Sequence, residues 1–376
     1  MAKKQEFYRG RRKKKNYAII PSIIITGLIT LLVVFFYGVQ KYAVITKESV
    51  SIELPILQEG KTTIDSEGNE VKVFDPVDAE LIYDTPDYSY IKAEAGKDVP
   101  EMRAIFVPAE NVNRTKLQEY TARLSLGNAL VLEMKPRAGT LLWDCHATEA
   151  VNYGLSVSTE LTADMPAIVS ELKEREIYLV AQISCCLDEL FASRSTTVTL
   201  RRGDNGGNYI DTYGTWLDPY NLNLRNYVVE MAKELFAMGF DEVVLADVMH
   251  PTFAEPVPLV YTRELSTSPS TYTAVCGFAI NVAKQLHDRE GLLSIYIDTA
   301  PALVKAADNG QDGPLFMKIF DRVYYRTDKF AYTYNVEDIR PYVQNGKVND
   351  RLIPVVENYL PENSSWVLVD VAEEEE

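Results

Sequence analysis

From Met102 onward, eight short apolar runs alternate with longer stretches of helical periodicity. The runs are "MRAIFVP" (102–108), "NALVLEMK" (128–135), "EIYLVAQIS" (176–184), "DEVVLADV" (241–248), "LLSIYIDT" (292–299), "DRVYYRT" (321–327), "RLIPVVENY" (351–359) and "SWVLVDV" (365–371). Strand-length runs separated by helices predict βα units around a parallel sheet. Eight of them over about 270 residues is the size of a (β/α)8 barrel. The helix before the fourth run has the clearest boundaries. Asn221 or Asn223 caps its start, and Leu224, Tyr227, Val228, Met231 and Leu235 fall on one face at 3.6-residue spacing. Gly239 stands where it should stop. Other helices fit 113–126, 163–175, 270–290 and 336–345. Few residues separate the seventh and eighth runs, so the closing units are expected to be reduced.

Side chains alternate between the two faces of a strand. On that rule Val131, Glu133 and Lys135 share a face, as do Val180, Gln182 and Ser184. So do Val243, Leu245, Asp247 and Met249, and Ser294, Tyr296 and Asp298. Each set places polar groups toward the C-terminal end of its strand, where barrels of this type hold their sites. Glu133, Lys135, Gln182, Asp247 and Asp298 are therefore expected to converge on one pocket. Paired carboxylates suit glycoside hydrolysis, in which one acid donates a proton and the other attacks or activates water. The competing reading is an internal salt-bridge set, with Lys135 neutralising Glu133 and Asp247 bonded to backbone or to an arginine. "TYGTWLDPYN" (212–221) puts Tyr213, Trp216 and Tyr220 in the loop after the third strand. Their rings either stack on sugars or pack beneath a long loop. "RRGDNGGN" (201–208) is a turn cluster and not a phosphate loop, because no Gly-Lys-Ser/Thr follows.

The N-terminal part differs in kind. Residues 1–16 carry eight Lys/Arg against Glu6, and no charge occurs from Asn16 to Gln40. The uncharged run "YAIIPSIIITGLITLLVVFFYGV" (17–39) is long enough to span a bilayer, which takes about 20 residues. A cleaved signal peptide is the rival reading, but its apolar region is usually only about 7–15 residues. The expectation is a basic cytoplasmic tail (1–16), a transmembrane anchor (17–39), an extracytoplasmic stalk (40–100) and a barrel (101–376). Within the stalk, "SVSIELPI" and "NEVKVF" read as strands.

The whole chain has 38 basic and 54 acidic residues, which leaves 30 and 53 after the basic tip. An acidic body argues against nucleic acid as a partner. Four cysteines, Cys145, Cys185, Cys186 and Cys276, are too few for a disulfide scaffold, and burial as small hydrophobes is expected. With three histidines, His146, His250 and His287, a histidine metal cluster is not expected. No cofactor is implied.

Several segments resemble a family of bacterial envelope proteins called "putative glycosyl hydrolase", itself distantly similar to α-amylase-type barrels. "TWLDPYNLNLRNYVVEMAKELFAMGFDEVVLADV" is similar to the family's W-V-D-P-Y…G-F-D-E-I-Q-F-D-Y, "NALVLEMKPRAGTLLW" to its N-A-V-V-I-D-V-K-D-D-x-G, and "VAQISCCLDELFA" to its A-R-I-V-x-F-K-D-P-x-x-A. The resemblance implies a TIM-type barrel that acts on or binds polysaccharide or cell-envelope glycan. It implies Asp247 as a catalytic carboxylate; in an enzyme, Asp298 or Glu133, placed by strand alternation, would be the acid. Lys135, Gln182, Asp188, Trp216, Tyr220 and His250 are the expected substrate contacts. The family continues D-Y-I-R-F-P after its acid, whereas this chain reads "DVMHP", so the arginine is absent there and His250 stands near its position. The second-strand Asp is Glu133, and the two acids after Lys135 are replaced by Pro136 and Arg137. Two functions follow: a membrane-anchored extracytoplasmic glycoside hydrolase-like protein, or a non-catalytic barrel that binds envelope glycan or a protein partner.

Overall fold

The computed structural model describes residues 99–124, 127–252, 258–261, 270–298, 305–326, 336–343, 347–357 and 364–369, with Gly27, Thr30, 43–45, 50–52, 61–64 and 70–73 from the N-terminal part. The chain forms two compact units, Met1–Ile82 and Tyr83–Glu376. In the first, Ala43–Ile45 pairs antiparallel with Val50–Ile52, and Lys61–Ile64 with Glu70–Val73. Both strands expected there are present, each in an antiparallel pair.

The second unit is a closed parallel barrel. Its strands are β1 (Arg103–Val107), β2 (Ala129–Lys135), β3 (Tyr178–Ser184), β4 (Glu242–Ala246), β5 (Leu292–Ile297), β6 (Arg322–Arg326), β7 (Leu352–Glu357) and β8 (Trp366–Val369). They run in chain order around the barrel, and β8 closes it by pairing with β1. Each falls on one of the eight apolar runs. The helices are α1 (Arg114–Ala122), α2 (Thr148–Asn152), α3 (Glu160–Glu174), α4 (Glu189–Arg194), α5 (Leu222–Met238), α6 (Thr271–Gln285), α7 (Gly313–Ile319), α8 (Val336–Ile339) and α9 (Val348–Arg351). The late helices are single turns, and no helix is described between β7 and β8, which matches the reduced closing units.

Local signals set the helix ends. The Asn221 side chain accepts from the backbone N–H of Asn223 and Leu224 at the start of α5, and Gly239 ends it at φ 114°. Thr159 and Ser270 form capping boxes with Thr162 and Thr273 at the starts of α3 and α6. The apolar face read for α5, Leu224 to Leu235, is buried.

Two apolar layers result from strand alternation. Inside the barrel lie Ala104, Ala129, Val131, Val180, Val244, Ile353, Val355 and Val367. Outside, facing the helices, lie Ile105, Leu130, Leu132, Leu179, Ile183, Val243, Leu245, Leu293 and Val323. The N-terminal end of the lumen is closed by a polar floor. There Glu242 and Arg322, both fully buried, form an ion pair. Glu242 also accepts hydrogen bonds from Ser294 (2.6 Å), Tyr324 (2.7 Å) and Tyr178 (2.9 Å).

Two expectations about faces need correction. In β4 the inward residues are Glu242, Val244 and Ala246, so Val243 and Leu245 point out to the helices. In β2 the register shifts between Glu133 and Lys135, a bulge that carries Lys135 opposite outward-facing Ile183. Lys135 thus leaves the face that Val131 and Glu133 share.

The transmembrane helix expected over 17–39 does not stand. No helix among the described residues is long and apolar enough to cross a membrane. A span needs about 20 mainly apolar residues, whereas α5 has 17 and carries Arg225, Glu230, Lys233 and Glu234. Apart from Gly27 and Thr30, the 17–39 stretch lies outside the described residues. The expectations that rested on the anchor, namely membrane attachment, single-pass topology and an extracytoplasmic body, are withdrawn with it.

Candidate functional site

At the C-terminal end of the barrel the strands surround a cavity of about 320 Å3. The apolar wall comes from Phe106 on β1, Val355 on β7, and Val367 and Val369 on β8. The polar wall comes from Glu133 on β2, Gln182 and Ser184 on β3, Asp247 after β4, Asp298 after β5 and Arg326 on β6, with Tyr296 and Tyr324 between them. Arg137, from the turn after β2, completes it.

Asp247 reaches this cavity by a backbone irregularity. Plain alternation would send it outward with Val243 and Leu245. Its φ is 55°, in the left-handed region that non-glycine residues seldom adopt and that Asp tolerates better than most. The left-handed residue breaks the alternation and turns the carboxylate into the cavity. Hydrogen bonds from Cys185 N to Ala246 O (2.9 Å) and from Cys186 N to Asp247 O (3.2 Å) hold the chain in that position.

Both Asp247 oxygens are engaged, and the residue is only 8% exposed. Oδ1 accepts from Arg137 Nε at 3.0 Å and Nη2 at 2.5 Å. Oδ2 accepts from the Ser184 hydroxyl at 2.6 Å. The arginine missing after β4 is therefore supplied from the turn after β2. That turn is built tightly. Gly139 has φ 84°, its N–H bonds to Pro136 O at 2.9 Å, and a Cβ there would lie 2.0 Å from Asp188 Oδ1. Asp188 caps α4 through Phe191 N and pairs with Lys135 at 2.9 Å, both side chains being 1% exposed. Lys135 Nζ also donates to Ser184 O at 2.7 Å. Lys135 and Asp188 thus lie beneath the cavity wall, where they hold the turn that presents Arg137.

Glu133 accepts from Ala109 N at 3.0 Å. Burial raises its pKa above the ordinary carboxylate value, the Ala109 N–H opposes that rise, and the Glu110 and Asp247 charges add to it. Asp298 is also raised, first by burial and then by Asp247, with Arg137 and Arg326 opposing. Its carboxylate has no hydrogen-bond partner among the described residues, and neither has the Gln182 amide. Gln311, fully buried, ties the strand ends together. Its Oε1 accepts from Asp298 N at 2.9 Å, and its Nε2 donates to Val248 O and Tyr296 O, each at 3.2 Å.

The structure places the other expected contacts away from the cavity. Trp216 is 2% exposed and packs with Leu187, Leu200, Tyr209 and Met249. Tyr220, also 2% exposed, donates to Ser270 O at 3.2 Å and stands edge-on to Tyr261. His250 is buried, with Nε2 3.0 Å from the Tyr261 hydroxyl, and burial lowers its pKa to about 4. The exposed ring of that loop is Tyr213, with the Arg137 guanidinium 5.1 Å from its centroid. Tyr213 is one of the three loop aromatics read from the sequence, whereas the roles of Arg137 and Gln311 were not read there. Both act across long sequence separations, which leave no local signal. Among the described residues no three His, Cys, Asp or Glu side chains are grouped to hold a metal ion, and all four cysteines are buried and unpaired.

The fold has relatives among solved structures. A hypothetical protein from Ruminiclostridium thermocellum ATCC 27405 is 22% identical, with a TM-score of 0.43 over 51% of this chain and 96% of that one. The PgaB (BpsB) glycoside hydrolase domain from Bordetella bronchiseptica is 13% identical, with a TM-score of 0.47 over 72% of this chain and 94% of that one. Aspergillus fumigatus Ega3, solved in complex with galactosamine, is 11% identical, with a TM-score of 0.42 over 74% and 94%. No curated protein matches the chain. Residues 104–325, more than half of the 376, match a family described as "Putative glycosyl hydrolase domain". The chain belongs to that family.

Proposed function

We propose that the C-terminal cavity binds a glycan without cleaving it. The observation that carries this reading is the state of Asp247. Hydrolysis needs one carboxyl group to donate a proton and a second that is free to attack or to activate water. Both oxygens of Asp247 are held, one by Arg137 and the other by Ser184. The family resemblance makes this residue a catalytic carboxylate, the nucleophile or base, and here it serves as the anchor of an ion pair that closes one side of the cavity.

Binding is supported by the rest of the lining. The cavity volume of about 320 Å3 lies at the small end of the range for ligand sites. One wall is apolar and suits the C–H faces of a sugar ring. The other offers the Gln182 amide and the Asp298 carboxylate, which have no hydrogen-bond partner among the described residues, to hydroxyl groups. Glu133, Gln182, Asp298 and Tyr296 are the proposed contacts, with Lys135 and Asp188 acting through the Arg137 turn.

Calorimetric titration of the full chain against bacterial-envelope and plant oligosaccharides, with reducing ends measured in parallel, tests the proposal. Binding without release of reducing ends is expected, and Gln182→Ala should weaken it roughly tenfold, the loss of one or two ligand hydrogen bonds. Turnover abolished by Asp247→Asn would overturn the binding-only reading.

A further inference from the structure

Among the described residues, the charged side chains that line the cavity do not balance. Glu133, Asp247 and Asp298 face Arg137 and Arg326, and both guanidiniums are already committed. Arg137 holds Asp247, and Arg326 pairs with Glu357 at the rim. Glu133 retains one backbone N–H, and Asp298 has no hydrogen-bond partner among the described residues. Among the described residues, two partly buried carboxylates thus stand beside the cavity without an ion-paired cation of their own, and Arg137 and Arg326 act on Asp298 without bonding it. Desolvated charge of this kind is costly unless it is paired.

We propose that the ligand is an amino sugar with a free ammonium group, and that Asp298, assisted by Glu133, receives the ammonium. This rests on the glycan reading above and narrows it to a substrate class. A neutral sugar would leave both carboxylates uncompensated. An N-acetylated sugar would bring an amide in place of the charge. An acidic sugar would add a further anion to the pair. A cationic sugar supplies the missing charge and three N–H donors at one atom. The apolar wall of Phe106, Val355, Val367 and Val369 remains for the ring.

The experiment compares three probes of equal length on the full chain at fixed pH and at about 0.15 M salt, where screening beyond roughly 8 Å suppresses the pull of the acidic body. The probes are a glucosamine oligomer, its fully N-acetylated counterpart and a neutral glucose oligomer. The glucosamine oligomer should bind at least tenfold more tightly than either of the others. Asp298→Asn should reduce that preference to within about twofold, and Glu133→Gln should reduce it in part. Asp288→Asn, an exposed acid outside the cavity, should leave the preference unchanged. Equal affinity for all three probes, or an equal loss from Asp288→Asn, would overturn the amino-sugar inference and leave glycan binding standing. If none of the three binds while thermal unfolding confirms a folded protein, the glycan reading and this inference both fail.

Discussion

A carboxylate that is 8% exposed requires a cation or several donors, and Asp247 has both. Removing only the cation leaves a buried charge without its partner, which is worse than removing the pair. Arg137→Met should therefore cost about 1–3 kcal/mol of stability, scaled down because the arginine itself is 41% exposed. Asp247→Asn made in the Arg137→Met background should recover much of that loss. Urea unfolding of the two single variants and the double variant gives the coupling, and strict additivity would exclude the pair as a stabilising unit. His250 gives a second prediction, for pH. Burial depresses its pKa from 6.5 to about 4, so the folded state holds it neutral. A base with a lowered folded pKa contributes stability that is present above its unfolded pKa and is lost as pH falls toward the folded value. The window is therefore about pH 6.5 down to 4, and the loss approaches about 3 kcal/mol. Glu133 and Asp298 act in the opposite sense, because their pKa values are raised and protonation relieves them. A His250→Gln variant retains those two acids, so its difference from the parent isolates the histidine. It should lose roughly 2–3 kcal/mol less than the parent between pH 7 and 4. Parallel pH curves for the two proteins would contradict this.

At the scale of elements, the order of strands and helices was readable and the aim of particular side chains was not. Eight apolar runs, the Asn221 cap and Gly239 are local signals, and local signals survive in one dimension. Gln182 and Asp298 line the cavity on the face that alternation gave them, since β3 and β5 are regular as far as the cavity. Alternation failed where the backbone departs from regularity. The bulge between Glu133 and Lys135 contains no glycine that would mark it. The left-handed turn falls on an aspartate and not on a glycine. Asp247 therefore reaches the expected cavity by a route that alternation alone would forbid. The aromatic loop shows a different limit. Tyr213, Trp216 and Tyr220 read alike in sequence, yet two are buried and one is exposed. What separates them is the packing of Trp216 on Leu200 and Met249, and of Tyr220 on Tyr261. Those contacts join segments that no local pattern connects.

Across the whole barrel, the two ends divide the work. The C-terminal end carries the cavity, where Glu133 and Asp298 have no ion-pair partner among the described residues. The N-terminal end carries a floor in which every charge is matched. Arg322 on β6 pairs with Glu242 on β4, donates through Nε to Asp350 O at 3.1 Å before β7, and also bonds Pro100 O ahead of β1. Tyr178 on β3 and Ser294 on β5 complete the shell around Glu242. One arginine–glutamate pair thus draws together β3, β4, β5 and β6 with the segments that lead into β1 and β7, which neighbour pairing alone would link only in series. Breaking a fully buried pair from one side costs about 3–5 kcal/mol, so Arg322→Met should destabilise the barrel by that amount or prevent it from folding. Tyr178→Phe is the milder probe. It removes one hydrogen bond to the buried Glu242 carboxylate and should cost about 1.5–3 kcal/mol, with the fold retained. Because Tyr178 lies at the opposite end of β3 from Gln182 and Ser184, its loss should lower the unfolding midpoint and leave ligand affinity unchanged at temperatures where the protein is folded. Measuring both quantities on the same Tyr178→Phe protein tests the division. A change in affinity parallel to the change in stability would mean that the floor and the cavity are coupled through the lumen, and that the barrel does not separate holding itself together from holding its ligand.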